Sequence, residues 1–164
     1  MGCVHHWILD GYNVMHALDF LPSPLSFEVA RERFLSWVSQ FQTLGDKKVT
    51  VVFDDNVHLD GPREINRVCS VYSPAGFNGD GAILSIVRQT PRQFRPYLTI
   101  VTRDLMLRDA IFSYRCVVIS PEAFKQEFET YRQHADRKNM NTKASSCEFY
   151  KPFRDFFENK PTKM

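Results

Sequence analysis

Apolar residues along this chain follow two rhythms: short unbroken runs, and longer stretches with a period near that of a helix. The first run, Cys3 to Leu9, ends in Asp10-Gly11 and predicts a strand followed by a turn. Pro22 and Pro24 mark a loop. From Phe27 the apolar positions Ala30, Phe34, Trp37, Val38, Phe41 and Leu44 share one helical face, with Ser26 as N-cap and Gly45 just past the end. Val49 to Phe53 is a β-branched run of the kind that a strand covered on both faces carries, and Asp54-Asp55 follow it. Residues 56–66 are polar around Gly61-Pro62 and read as a loop, and Val68 to Tyr72 as a shorter strand. A helix is expected from about Asp80, with Ile83, Ile86 and Val87 on one face, and Pro91 and Pro96 bracket a further loop. Leu98 to Val101 is a third strong strand, running into Thr102-Arg103-Asp104. Leu105 to Phe112 reads as a short helix and Cys116 to Ile119 as a strand. Ser120 and Pro121 then open a helix that runs to about Ala135.

Strands alternating with helices imply βαβ units, hence an α/β fold with a mainly parallel central sheet. A length of 164 residues with 43% hydrophobic content suits one domain with one substantial core. The expected division is a folded domain over 1–136 and a basic tail over 137–164. In that tail Phe149, Phe153, Phe156 and Phe157 share a helical face expected to pack on the domain.

The net charge of +2 is unevenly spread: the tail carries seven basic and three acidic residues, so the first 136 residues are slightly acidic. That distribution fits contact with a polyanion and equally an ordinary solvated tail. Four cysteines, Cys3, Cys69, Cys116 and Cys147, form no Cys-x-x-Cys pair, so neither a zinc site nor a thioredoxin-type site is signalled. Scattered thiols, no basic leader before Leu9 and no long apolar run together point to a cytoplasmic protein. His5 and His6 are adjacent on a strand, face opposite ways and read as structural.

Candidate chemistry lies in the aspartates. Asp10, Asp54 and Asp104 each end a strong strand, and Asp80 opens a helix after Gly76-Phe77-Asn78-Gly79. In open α/β sheets functional groups gather at the carboxyl ends of the strands, so acids far apart in sequence are expected to converge there. Taken singly, each aspartate reads equally well as a turn or helix cap. Two carboxylates about 4 Å apart repel by about 4 kcal/mol at an effective dielectric near 20, which a divalent cation would relieve. All-oxygen donors suit Mg²⁺ or Mn²⁺, and such an ion supports phosphodiester hydrolysis. Asp55 and Asp109 are weaker candidates. Asp54-Asp55 also invites a phosphoacceptor reading. That reading fails for want of a second acid two residues after Asp10 and of a lysine after the late strands. No G-x-G-x-x-G follows the first strand, so a dinucleotide site is not signalled.

The run Ile8-Leu9-Asp10-Gly11-Tyr12-Asn13 resembles the opening motif of the NYN-domain ribonucleases, relatives of the PIN-domain nucleases. Val49 to Asp54, Gly79-Asp80-Gly81-Ala82-Ile83, Ile100 to Asp104 and Arg115 to Ser120 are similar in order and spacing to segments of their YacP-like branch, over roughly residues 6–130. This resemblance implies a three-layer α/β/α, PIN-like fold and a Mg²⁺- or Mn²⁺-dependent endoribonuclease. The branch includes a ribosome-associated enzyme that cleaves mRNA. By position it implies Asp10, Asp80 and Asp104 as metal-binding acids, Asn13 as the group orienting Asp10 or a bound water, and Asp54 as support from the neighbouring strand. One departure stands out: Gly81 replaces the usual second acid after Asp80. A missing carboxylate weakens metal binding or leaves one metal instead of two. It also opens an alternative, a noncatalytic RNA- or ribosome-binding protein on the same fold. For RNA contact, Arg88, Arg92 and Arg95 with Phe94 and Tyr97 form a basic and aromatic segment. Arg103 and Arg108 flank Asp104, and Arg63 and Arg67 lie in the loop after the Asp54 strand.

Overall fold

The computed structural model describes residues 4–22, 24–53, 63–65, 68–72 and 79–139. Asp54, Asp55, Arg67 and the phenylalanines of the tail fall outside the described residues. Strands β1 (His5–Asp10), β2 (Lys47–Phe53), β3 (Arg63–Ile65), β4 (Val68–Tyr72), β5 (Leu98–Val101) and β6 (Val117–Ile119) form one sheet in the order β3-β4-β2-β1-β5-β6. All neighbouring pairs are parallel except β3 with β4, so the sheet is parallel with one antiparallel edge strand. The helices are α1 (Gly11–Ala17), α2 (Phe27–Thr43), α3 (Gly79–Gln89), α4 (Leu105–Phe112) and α5 (Pro121–Asn139).

The long elements fall where the apolar pattern predicts. Ser26 caps α2 by accepting a hydrogen bond from the Val29 amide at 3.3 Å, and Gly45 follows the helix end at φ 148°, a conformation that favours glycine. Asp104 and Ser120 cap α4 and α5 in the same way, Ser120 accepting from the Ala123 amide at 3.1 Å.

Three short elements depart from the sequence reading. The expected turn after Asp10 is the start of α1. Within the stretch 56–66, read as loop, Arg63–Ile65 pairs with β4 as an edge strand. Arg92–Tyr97, read as a proline-bracketed loop, is a 3-10 helix. Each is too short to carry a period of its own, and each is held by what it pairs with or packs against.

Alternation along the strands gives two cores. Trp7, Leu9, Val49, Val51, Phe53 and Val101 face α1, α2 and α5. Ile8, Val52, Leu98 and Ile100 face α3 and α4. The first core is strongly aromatic. Phe41 lies 5.0 Å from Trp7, 4.9 Å from Phe124 and 5.4 Å from Phe128 between ring centroids, all edge-on. Edge-to-face pairs add about 0.5–1.5 kcal/mol each beyond the area they bury. The Lys47 ammonium stands over Phe41 and Tyr131, 4.6 and 3.8 Å from their centroids, and burial pulls its pKa down to about 8.

The paired histidines behave as their positions on a strand predict. His6 is fully buried and its Nε2 meets Thr50 Oγ1 at 2.8 Å, while His5 Nε2 meets Thr99 Oγ1 at 3.0 Å on the other face. Burial holds His6 neutral, with its pKa lowered to about 3. Cys116 is a free, half-buried thiol whose pKa burial raises to about 11, which suits an inert side chain. No helix of the described residues is long and apolar enough to cross a membrane.

Candidate active site

Strand order sets the site. From β1 the chain builds outward through β2 and β4, then returns to add β5 and β6 on the other side. The crevice between β1 and β5, at their carboxyl ends, is the switch point where open α/β sheets place their ligands. Leu9 is in register with Val101, so Asp10 and Thr102 follow as neighbours across the two strand ends.

Asp10 is half-buried at the end of β1. Its Oδ2 accepts a hydrogen bond from the Thr102 hydroxyl at 2.9 Å. Thr102, itself buried, accepts in turn from the Asp104 amide at 3.0 Å. Two hydrogen bonds in series keep Asp10 Oδ2 and the Asp104 backbone nitrogen within about 6 Å of each other. Asp104 Oδ1 caps α4, accepting from the Met106 and Leu107 amides at 2.8 and 3.2 Å. Among the described residues nothing donates to its Oδ2. The cap reading and the ligand reading of Asp104 are therefore compatible, since each uses a different oxygen. Asn13, on the first turn of α1, accepts from the Arg103 amide at 2.7 Å and ties α1 to the end of β5.

Gly11 makes this approach possible. A Cβ at that position would lie 2.6 Å from Phe53 Cδ1 and 2.9 Å from the Val52 carbonyl oxygen. With a side chain there, α1 would lift off β2 and carry Asn13 with it.

Asp80 lies in the first turn of α3, which follows β4 and precedes β5; the backbone places it at the same carboxyl edge. Asp10, Asn13 and Asp104, together with Arg103, thus share one edge, while Asp54 lies outside the described residues. Among the described residues no group of three or more His, Cys, Asp or Glu stands ready to hold a metal. The two acids whose side chains are described, Asp10 and Asp104, offer hard carboxylate oxygens. That donor chemistry fits Mg²⁺ or Mn²⁺ better than a thiolate- or imidazole-preferring ion.

The arginines divide. Arg103 adjoins the acids and pairs its guanidinium with Glu122 at the start of α5. Arg88, Arg92 and Arg95 do not join them. Arg88 ends α3 and the other two lie on the 3-10 helix before β5, which puts all three at the amino edge of the strands. There Arg88 Nε donates to the Tyr114 hydroxyl at 3.0 Å, and Arg95 donates to the Thr90 and Arg88 carbonyls at 3.0 and 3.3 Å. These two brace the turn between α3 and β5, because α3 runs antiparallel to the strands and carries its last turn away from its first.

Thr102 is the residue that sequence reading passes over. Its signal, a hydroxyl directly after a buried strand and two residues before an acid, gains meaning only once the β1–β5 register is known. Replacing it by valine is expected to lower any RNA cleavage at least about 10-fold, because Asp10 loses a donor and the Asp104 amide its acceptor. Serine should restore most of the rate. Equal rates for threonine, valine and serine would remove Thr102 from the site.

The family model for the YacP-like NYN domain matches residues 7–155, nearly the whole chain. The chain belongs to that family. Its matched span continues through α5 into the stretch read from sequence as tail. Members are ribonuclease-type proteins, which the Asp10-to-Asn13 motif had suggested. Two solved structures resemble this domain in fold, both of Rae1 (YacP) from Bacillus subtilis. A single-substitution mutant is 23% identical and covers 82% of this chain and 80% of its own, with a TM-score of 0.66. The unsubstituted protein is also 23% identical and covers 85% and 80%, with a TM-score of 0.65. No curated protein matches in sequence.

Proposed function

We propose that this YacP-like NYN domain is a divalent-metal-dependent endoribonuclease acting on unpaired RNA, with Asp10, Asp80 and Asp104 as its metal-binding acids. The observation that carries the reading is the Thr102 bridge between the end of β1 and the start of α4, at the switch point of a ribonuclease-family fold. When bound, Mg²⁺ or Mn²⁺ would polarise a phosphodiester oxygen and make a coordinated water more acidic.

The chain's own groups do the rest. Asp10 presents a carboxylate whose geometry Thr102 fixes. Asp104 Oδ1 is held by two amides, so its Oδ2 keeps one direction without an entropic cost at binding. Asn13 holds α1 against the residue before Asp104. Arg103 supplies positive charge beside acids that would otherwise repel a phosphate. Ribosome association belongs to the same proposal, and the net positive charge of residues 137–164 supports it.

A second reading has its own observation. Gly81 stands where the family's second acid is expected, which favours an RNA-binding protein that does not cut. Incubating the full chain with an unstructured RNA separates the two. Cleavage in Mg²⁺ or Mn²⁺ that stops with EDTA supports the enzyme. Binding without cleavage in either ion establishes the noncatalytic reading instead.

A further inference from the structure

The carboxyl edge carries an aromatic ladder that the acids leave unused. Phe53, fully buried at the end of β2, is its floor. The Tyr12 ring stacks at a tilt above it with centroids 5.0 Å apart, and Phe27 continues the ladder a further 5.0 Å from Tyr12. Phe27 opens α2 and is 48% exposed, flanked by Leu25 and Val29 at 39% and 40%. Arg31, one turn along α2, donates to the Tyr12 hydroxyl at 3.4 Å, and its guanidinium carbon lies 5.8 Å from the Phe53 centroid.

Three features give this outer ring a role beyond packing. It ends a run of tilted ring contacts and keeps nearly half of its surface exposed, which leaves room for a further flat ring. Tyr12 is two residues from Asp10, which puts the ladder at the same carboxyl edge as the acids, over the β2 side of β1. A guanidinium accompanies it, complementary to the charge of a phosphate chain. Apolar face, positive flank and nearby acids together fit a nucleotide whose base lies on the ring while its backbone runs toward the acids. In a duplex the base faces are covered by their neighbours, so only an unpaired base can lie there.

We propose that Phe27, backed by Tyr12 and flanked by Arg31, is a stacking platform for one unpaired base of the RNA strand. This rests on the Proposed function for the strand's path past Asp10. The Arg88-to-Tyr97 segment lies at the opposite edge and is no part of this platform.

Fluorescence anisotropy with a short fluorescein-labelled oligouridylate tests the platform. The protein is the full chain carrying Asp10→Asn, in Mg²⁺, so that no strand is cut during the titration. Phe27→Ala and Phe27→Leu are both expected to weaken binding about 10-fold, and Phe27→Trp to match or exceed the parent. The oligouridylate paired with its complement should bind more weakly and respond to none of these changes. Should Phe27→Ala fail to fold, the leucine and tryptophan variants decide. A leucine variant that melts like the parent and binds as tightly would overturn the proposal, as would a duplex that shows the same dependence on Phe27. Cleavage by the wild-type chain is measured in parallel. Ring-dependent binding without cleavage sinks the nuclease reading and leaves the platform; cleavage with ring-independent binding does the reverse.

Discussion

Asp10→Asn is expected to lower RNA cleavage by the full chain about a thousandfold, several kcal/mol of lost transition-state stabilisation. Asparagine keeps the size of the side chain and can still accept from the Thr102 hydroxyl, so the end of β1 should hold its shape. What disappears is one full negative charge at the point where the cation would bind. Binding of uncut RNA should hold or tighten in the same variant, since a phosphate strand meets one acid fewer. This pairing of effects separates loss of chemistry from loss of fold. If the variant cuts within a factor of about ten of the wild-type rate, Asp10 serves only to hold the strand end through its Thr102 hydrogen bond.

The largest effect on stability is expected at Phe41. Its ring touches Trp7, Phe124, Phe128 and Tyr131 and lies under the Lys47 ammonium. Truncation to alanine leaves a cavity among rings that cannot collapse without giving up their edge-on contacts. A cost of about 3–5 kcal/mol follows, a large share of the stability of a domain this size. Urea unfolding of wild type and variant reads it directly as a shift of midpoint. A loss under about 1 kcal/mol would mean that the aromatic cluster is loosely packed and that the sheet's other core carries the domain. Because Phe41 lies at the amino-edge end of α2, far from Asp10, cleavage measured well below the melting transition should be unchanged.

The acids and the arginines reach their places in the fold by different routes. The aspartates were placed by topology: a residue ending a parallel strand must lie at the carboxyl edge, whatever its neighbours. The Asp10 carboxylate is accordingly linked through Thr102 to the Asp104 backbone amide. Arg88, Arg92 and Arg95 are grouped by sequence as a basic and aromatic segment with Phe94 and Tyr97. They lie at the amino edge because α3 carries its last turn away from its first.

By itself the chain determined its long elements, its α/β class and the edge at which its strand-ending residues lie. Hydrophobic period and strand polarity are local properties that survive any packing. Only the tertiary structure decided that Gly11, Tyr12 and Asn13 form a helix, that Arg63–Ile65 adds an edge strand, and that Thr102 joins Asp10 to Asp104. Segments this short gain their stability from partners distant in sequence, and a hydroxyl acquires a role only from the register of the strand beside it.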